Sequence, residues 1–171
     1  GHGYEGTLEF FPEEGKYHID GHRKCEHRSW PAETIQKKRI CPVCGKAMTL
    51  GVSYRVEQLA DRPPGAHPER HHPFYHLIPL NEILSELLSV GPNTKKVNKV
   101  YHALLMQKGS ELKILHELPI ELLTHGEVPL LGEAIRRMRK KEVQIVPGYD
   151  GAFGTIQLFT SREKEKMSGH V

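Results

Sequence analysis

The sequence predicts an α+β fold in two parts: a small cysteine-bearing knuckle or ribbon module, then a mainly helical α+β domain. Three observations carry that expectation. Cys25, Cys41 and Cys44, with several histidines, crowd into the first third of the chain. Apolar residues recur at i, i+3 and i+4 through the middle, as on one face of a helix. Two short runs near the end alternate as strands do. A length of 171 residues with 37% hydrophobic content allows one domain or two small ones with a modest core. No apolar run approaches the ~18 residues that a membrane span needs, so no membrane partner is expected. The first residues, Gly1-His2-Gly3-Tyr4-Glu5, lack the basic and apolar regions of an export signal. Three cysteines cannot all pair within one chain, so metal binding is a better reading than a disulfide framework.

The elements follow in chain order. Residues 1–21 read as a lead-in or linker without a clear period, and Phe10-Phe11-Pro12 within them looks like an arm that packs against something. Residues 22–62 hold the cysteines and then a short helix from Tyr54 to about Asp61, with Val56, Leu59 and Ala60 on one side and Arg62-Pro63-Pro64-Gly65 as its stop. Residues 63–171 form the second domain, beginning with an irregular connector, Pro63 to Pro73. Leu80, Ile83, Leu84, Leu87 and Leu88 mark a helix that Gly91-Pro92 ends. Thr94 caps the next, which holds Val97, Val100, Tyr101, Leu104 and Leu105 inside and ends near Gly109. Leu112, Ile114 and His116 alternate like a short strand, and Pro119 to Thr124 is a helical turn. Leu131, Ala134, Ile135 and Met138 define a third helix. Strands at Val143–Val146 and Thr155–Phe159 close the chain around Pro147-Gly148-Tyr149-Asp150-Gly151, and a charged tail from Ser161 is expected to fray.

His22-Arg23-Lys24-Cys25, then fifteen residues, then Cys41-Pro42-Val43-Cys44-Gly45, has the spacing of a four-ligand zinc site. Two residues between ligands let a tight knuckle turn both side chains onto one ion. Pro42 fixes φ there, and Gly45 permits the positive φ that closes the knuckle. His18 and His27 also lie near, but only His22 reproduces the two-residue gap. A redox Cys-x-x-Cys pair is the bland alternative, and it lacks a thioredoxin-like context. Four protein ligands leave no position for water, so one structural zinc ion is expected rather than a hydrolytic one. His67, Glu69, His71 and His72 form a second group, but Pro68 and Pro73 bar the helix that would align a histidine pair, so a polar loop is the better reading. No phosphate-binding Walker loop or nucleophile elbow is present.

The net charge is +3, and its distribution says more. Between Lys16 and Lys46, eight Lys or Arg stand against three acids, and residues 136–141 carry five basic side chains in six. Such patches suit a polyanion, although basic residues in a last helical turn also complement the helix dipole.

Several blocks resemble the endonuclease Q family: Glu9-Phe10-Phe11-Pro12-Glu13-Glu14-Gly15-Lys16-Tyr17-His18, Gly21-His22-Arg23-Lys24-Cys25, Cys41-Pro42-Val43-Cys44-Gly45-Lys46, Leu50-Gly51-Val52, residues 55–62, residues 76–83, and Pro147-Gly148-Tyr149-Asp150-Gly151. The likeness runs from Thr7 to Phe159. Members of that family are repair nucleases that nick DNA at deaminated bases, such as uracil and hypoxanthine, and at abasic sites. The resemblance implies that a catalytic PHP (polymerase and histidinol phosphatase) metal domain precedes the region matched here, so that this chain handles DNA without cutting it alone. It also implies a cytoplasmic, nucleoid-associated setting. The expected DNA contacts are Arg55 and Arg62 on one helix face, Lys95, Lys96 and Lys99 at a helix start, and the Tyr149-Asp150 loop, where a ring could stack on a base and a carboxylate accept from one. A plain turn with a packed tyrosine is the equal alternative for that loop. The rival reading of the whole is a zinc-stabilised protein-interaction module without nucleic-acid binding.

Overall fold

A computed structural model describes residues 3–69, 71–124, 126 and 128–168, with the last four as backbone alone. The chain is of mixed α+β class, as expected, and forms two compact units. One is built from Gly1–Tyr4, Phe11–Pro73 and Ile145–Ile156; the other from Glu5–Phe10, Phe74–Gln144 and Gln157–Val171. They interleave along the sequence, where the expected boundaries after residues 21 and 62 were linear.

The first unit opens on an antiparallel pair, β2 (Asp20–His22) with β3 (His27–Ser29), in the register Asp20↔Ser29, Gly21↔Arg28 and His22↔His27. A single 3₁₀ turn, Arg23–Cys25, links them through Glu26 at φ 50°. Helix α1 (Pro31–Gln36) starts on a proline, whose missing N–H costs nothing at a first turn. A knuckle follows: Ile40 bridges Ala47, Cys41 N–H donates to Lys46 O at 2.8 Å, and Gly45 sits at φ 71° as the sequence requires. The chain then returns to β2, where Gly21 and Thr49 exchange backbone hydrogen bonds of 3.0 and 2.8 Å.

Helix α2 (Val52–Leu59) starts two residues before the expected Tyr54 and stops before Arg62. Gly51 precedes it because the backbone of Ile19 passes so close that a Cβ would lie 2.5 Å from the Ile19 carbonyl carbon. Phe11, Ile19, Met48, Tyr54 and Tyr149 are buried here, so Phe11 is the packing half of the Phe10-Phe11 pair while Phe10 is exposed. Among the described residues of 63–73 there is no helix or strand, and the rings of His67 and His71 stack at 4.7 Å.

The second unit begins with a strand that the lead-in conceals. β1 (Thr7–Phe10) runs parallel to β4 (Phe74–Leu77), from Thr7↔Phe74 to Phe10↔Leu77. Helix α3 (Leu80–Leu88) buries Leu80, Ile83 and Leu84 as its period predicts. Glu111 caps it, accepting from Leu80 N–H at 2.7 Å. Helix α4 (Lys95–Lys108) is capped by Thr94 and ends at Gly109, with Val97 fully buried. Residues Lys113–Glu117 form a π-helical turn, not the expected strand. Adjacent Ile114 and Leu115 are both buried, which alternation cannot achieve.

Helices α5 (Glu121–Thr124) and α6 (Leu131–Arg139) follow, and α6 buries Leu131, Ala134, Ile135 and Met138. The closing strands are β5 (Gln144–Val146) and β6 (Thr155–Gln157), the latter shorter than expected because Leu158 and Phe159 turn into the core. The tail is helical as α7 (Ser161–Ser168), where fraying was expected; residues 169–171 lie outside the described residues. No helix among the described residues is long and apolar enough to cross a membrane.

Candidate metal centre and nucleic-acid contacts

The β2–β3 turn supplies His22 and Cys25, and the knuckle supplies Cys41 and Cys44. Their four ligand atoms lie within 4.8 Å of one another. His22 Nδ1 is 3.2 Å from Cys25 Sγ and 3.3 Å from Cys44 Sγ. A tetrahedron with Zn–S bonds of about 2.3 Å has edges of roughly 3.8 Å, so the arrangement is close to what one ion requires. Cys41 is fully buried, Cys25 half-buried and Cys44 exposed. Three thiols held this close cannot all ionise without a cation among them. Burial and the neighbouring thiols push Cys25 up to about 11. Burial also works to raise Cys41, but the N–H groups of Cys44 and Val43 and the His22 ring outweigh it and bring that thiol down to about 7. The four residues are thus close enough to hold a metal ion, and their N/S donor set suits zinc.

Of the competing histidines, His18 lies 3.5 Å from Ser53 Oγ and packs edge-on against Trp30, while the His27 Nε2 atom is buried. Neither joins the cluster. The second histidine group forms no metal cluster among the described residues either, in keeping with a polar loop.

The expected base-reading loop is committed to the fold. Tyr149 is only 4% exposed, its ring lies 4.6 Å from the Arg28 guanidinium, and it leaves no room for a side chain at Gly21. Asp150 accepts from Arg23 N–H at 2.6 Å and from Thr49 Oγ1 at 2.5 Å. Burial works against its charge, but the Thr49 hydroxyl, the Arg23 N–H and the Arg23 guanidinium hold its carboxyl below the ordinary value. Tyr149 therefore presents no free face to a base, and Asp150 already has its donors. The packed-turn alternative describes both.

Arg55 is exposed on α2, but Arg62 lies beyond the end of that helix and pairs with Asp61 at 3.3 Å, so the two do not share a helix face. Lys95, Lys96 and Lys99 are exposed at the start of α4, as expected. In the block 136–141, three arginines serve the fold. Arg136 and Arg137 both bond Glu133, and Arg139 donates to the carbonyls of Ile114, Leu115 and Leu118 at 3.1, 2.8 and 2.7 Å. Sequence reasoning missed a different pair. Phe153 is 71% exposed with Lys16 Nζ 4.5 Å from its ring centre, and the signal for it was an aromatic between two glycines.

The fold and the cluster together define an α+β protein with a Cys/His metal-binding module. Residues 79–142 match the family model of the MJ0043 C-terminal domain. Protein MJ0043 of Methanocaldococcus jannaschii is 34% identical over 145 residues, which cover 85% of this chain but 18% of that protein. Protein YqxK of Bacillus subtilis is 30% identical over 145 residues, 84% of this chain and 33% of that one. The chain therefore spans a third or less of the length of these relatives.

Among solved structures, the lesion-specific endonuclease PfuEndoQ of Pyrococcus furiosus superposes with a TM-score of 0.77 at 31% identity, over 88% of this chain and 37% of that one. An endonuclease Q complex with a 27-mer duplex bearing an abasic lesion at its active site gives 0.73 at 29%, over 92% and 39%. The resemblance to the endonuclease Q family is borne out: this chain has the fold of part of endonuclease Q.

Proposed function

We propose that this chain is the DNA-handling portion of an endonuclease Q-like repair enzyme. The observation that carries the reading is the match over 92% of the chain to an endonuclease Q bound to a lesion-bearing duplex. In this reading the substrate is duplex DNA with a deaminated base, uracil or hypoxanthine, or an abasic site. Such lesions are the cheapest to unstack, because a mismatched or missing base has little pairing to lose. The nick itself is assigned to a PHP metal domain elsewhere in the parent protein. When a zinc ion takes all four ligands of the Cys/His cluster, no position is left for a water nucleophile. The ion is therefore assigned to structure: it ties the β2–β3 turn to the knuckle, and this chain is not proposed to cut DNA alone.

Arg55, Lys95, Lys96 and Lys99 are the proposed phosphate contacts. Each exposed cation that meets a phosphate releases counterions, so binding should fall steeply with salt. The test is binding to matched duplexes, one with deoxyuridine or hypoxanthine and one undamaged, at about 50 and 200 mM salt. The reading expects salt-sensitive binding, tighter to the damaged duplex where the lesion reader lies in this chain. Absence of DNA binding at low salt would overturn it. A protein-docking role has one observation in its favour: Val52, Val56 and Leu59 line α2 at 63%, 61% and 64% exposure. Association with a protein that ignores salt, with no affinity for DNA, would select that role.

A further inference from the structure

The strongest unassigned feature is an exposed aromatic and basic surface within the first unit. Phe153 leaves 71% of its surface in water, and Tyr17 leaves 51%. Such rings hold an apolar, π-bearing face at the surface, where a planar ligand can stack. The backbone here is firmly braced. Gly148 N–H donates to Glu13 O at 2.8 Å, Gly151 N–H to Lys16 O at 3.1 Å, and Gly154 N–H to Glu14 O at 3.0 Å. The fit is so close that a Cβ on Gly154 would meet Glu13 O at 2.0 Å, and one on Gly148 would meet Gly15 O at 2.3 Å. Phe153 is thus held outward by two backbone segments locked together. It is not the tip of a loose loop.

One cation meets the ring and another lies at the same turn. Lys16 Nζ stands over the Phe153 ring. A Cβ built on Gly151 would lie 3.6 Å from Tyr17 Oη and 3.9 Å from Arg23 Nη1, which places both side chains beside the same turn. Lys16, Tyr17, Arg23 and Lys24 are all exposed, while the nearby acids Glu13 and Glu14 are half-buried. An open ring with flanking ammonium and guanidinium groups has the chemistry of a single-strand stacking platform: a base lies on the ring and its phosphates meet the cations.

We propose that Phe153, with Lys16 at its ring and Arg23 at the adjoining Gly151 turn, binds an unpaired nucleotide, the ring stacking on the base and the two cations taking the flanking phosphates. The proposal rests on the DNA-binding reading above and concerns the base left without a partner opposite a lesion, not the lesion nucleotide itself. Its test uses the whole chain and two duplexes, one fully paired and one with 2-aminopurine opposite an abasic site. Anisotropy reports affinity, and 2-aminopurine quenching reports stacking.

Phe153→Ala should weaken binding to the unpaired-base duplex by about tenfold and abolish the quench, while binding to the paired duplex stays within about twofold. Phe153→Tyr should keep both properties. Thermal melting should not move for either variant, because the side chain is mostly exposed. If wild type binds DNA and Phe153→Ala matches it in affinity and quench, the platform is wrong while the DNA-binding reading stands. Wild-type affinity and quench in Phe153→Leu would also overturn stacking, since leucine keeps apolar area without a π face. No binding of either duplex by wild type would remove both.

Discussion

Asp150 and Glu133 show how much of this chain's charge is spent on its own structure. Asp150 sits where a sequence reader would look for function, and Glu133 lies just before the basic block of residues 136–141. Each is held ionised by donors from the fold: Asp150 by Thr49 and the Arg23 backbone, Glu133 by Arg136 and Arg137. Hydrogen bonds from those two arginines, against some desolvation, pull Glu133 down to about 2 from an ordinary 4.5. A carboxyl whose folded value is depressed contributes stability that is complete above the unfolded value and is lost as pH falls toward the folded one. The contribution of Glu133 should therefore be full above about pH 4.5 and fade between there and about 2. Urea unfolding of Glu133→Gln should show a shallower loss of stability through that window than wild type. Parallel curves for the two proteins would refute the assignment. The arginines have their own roles. Arg139 satisfies three carbonyls around the π turn, a use no basic-block statistic separates from phosphate binding.

At the level of elements, the knuckle is the part most dependent on one event. Its strands are short, β2 and β3 having three residues each, and their buried positions are Asp20, Gly21 and Ser29, none of them a large apolar side chain. A bound ion would supply the missing cohesion, because binding free energy at such a site is folding free energy. Complete removal of zinc by a strong chelator should collapse the tertiary signal of the first unit. The far-UV helical signal of α3 through α6 should largely persist. An unchanged near-UV spectrum and melting temperature after verified zinc removal would end the structural-zinc reading. The π turn at Lys113–Glu117 teaches the opposite lesson about elements. Leu112, Ile114 and His116 alternate in sequence, yet the buried pair is Ile114 and Leu115, and Leu112 is 52% exposed. Three alternating positions are too few to separate a strand from a tight helical turn.

Across the whole molecule, the decisive property is interleaving. Each unit takes segments from both ends of the chain, so neither is complete until residues beyond 144 have returned. Ile145–Ile156 brings Tyr149 and Asp150 to the first unit, and Gln157 onward brings Leu158 and Phe159 to the second. A chain cut after Gln144 should therefore lose cooperative unfolding in both units and bind a hydrophobic dye such as ANS, whereas a domain ending near residue 144 would have been self-sufficient. Retention of a single sharp melting transition by the truncated chain would contradict this.

What the sequence determined by itself is local. The spacing of His22, Cys25, Cys41 and Cys44 fixes which side chains one ion can reach, because a two-residue gap and a knuckle glycine are geometric demands of the ligands' own segments. The periods of α3, α4 and α6, with Thr94 and Gly109 at the ends of α4, are local for the same reason. What only the tertiary structure decided depends on partners far away in the chain. β1 reads as an arm until β4, more than sixty residues later, gives it a parallel neighbour. Tyr149 could have been a stacking ring, but Arg28 and Gly21 claim its surface, and Phe153, four residues on, is left outside. Hydrogen-bond donors, burial and packing neighbours are properties of contacts, and a sequence read residue by residue carries only the capacity for them.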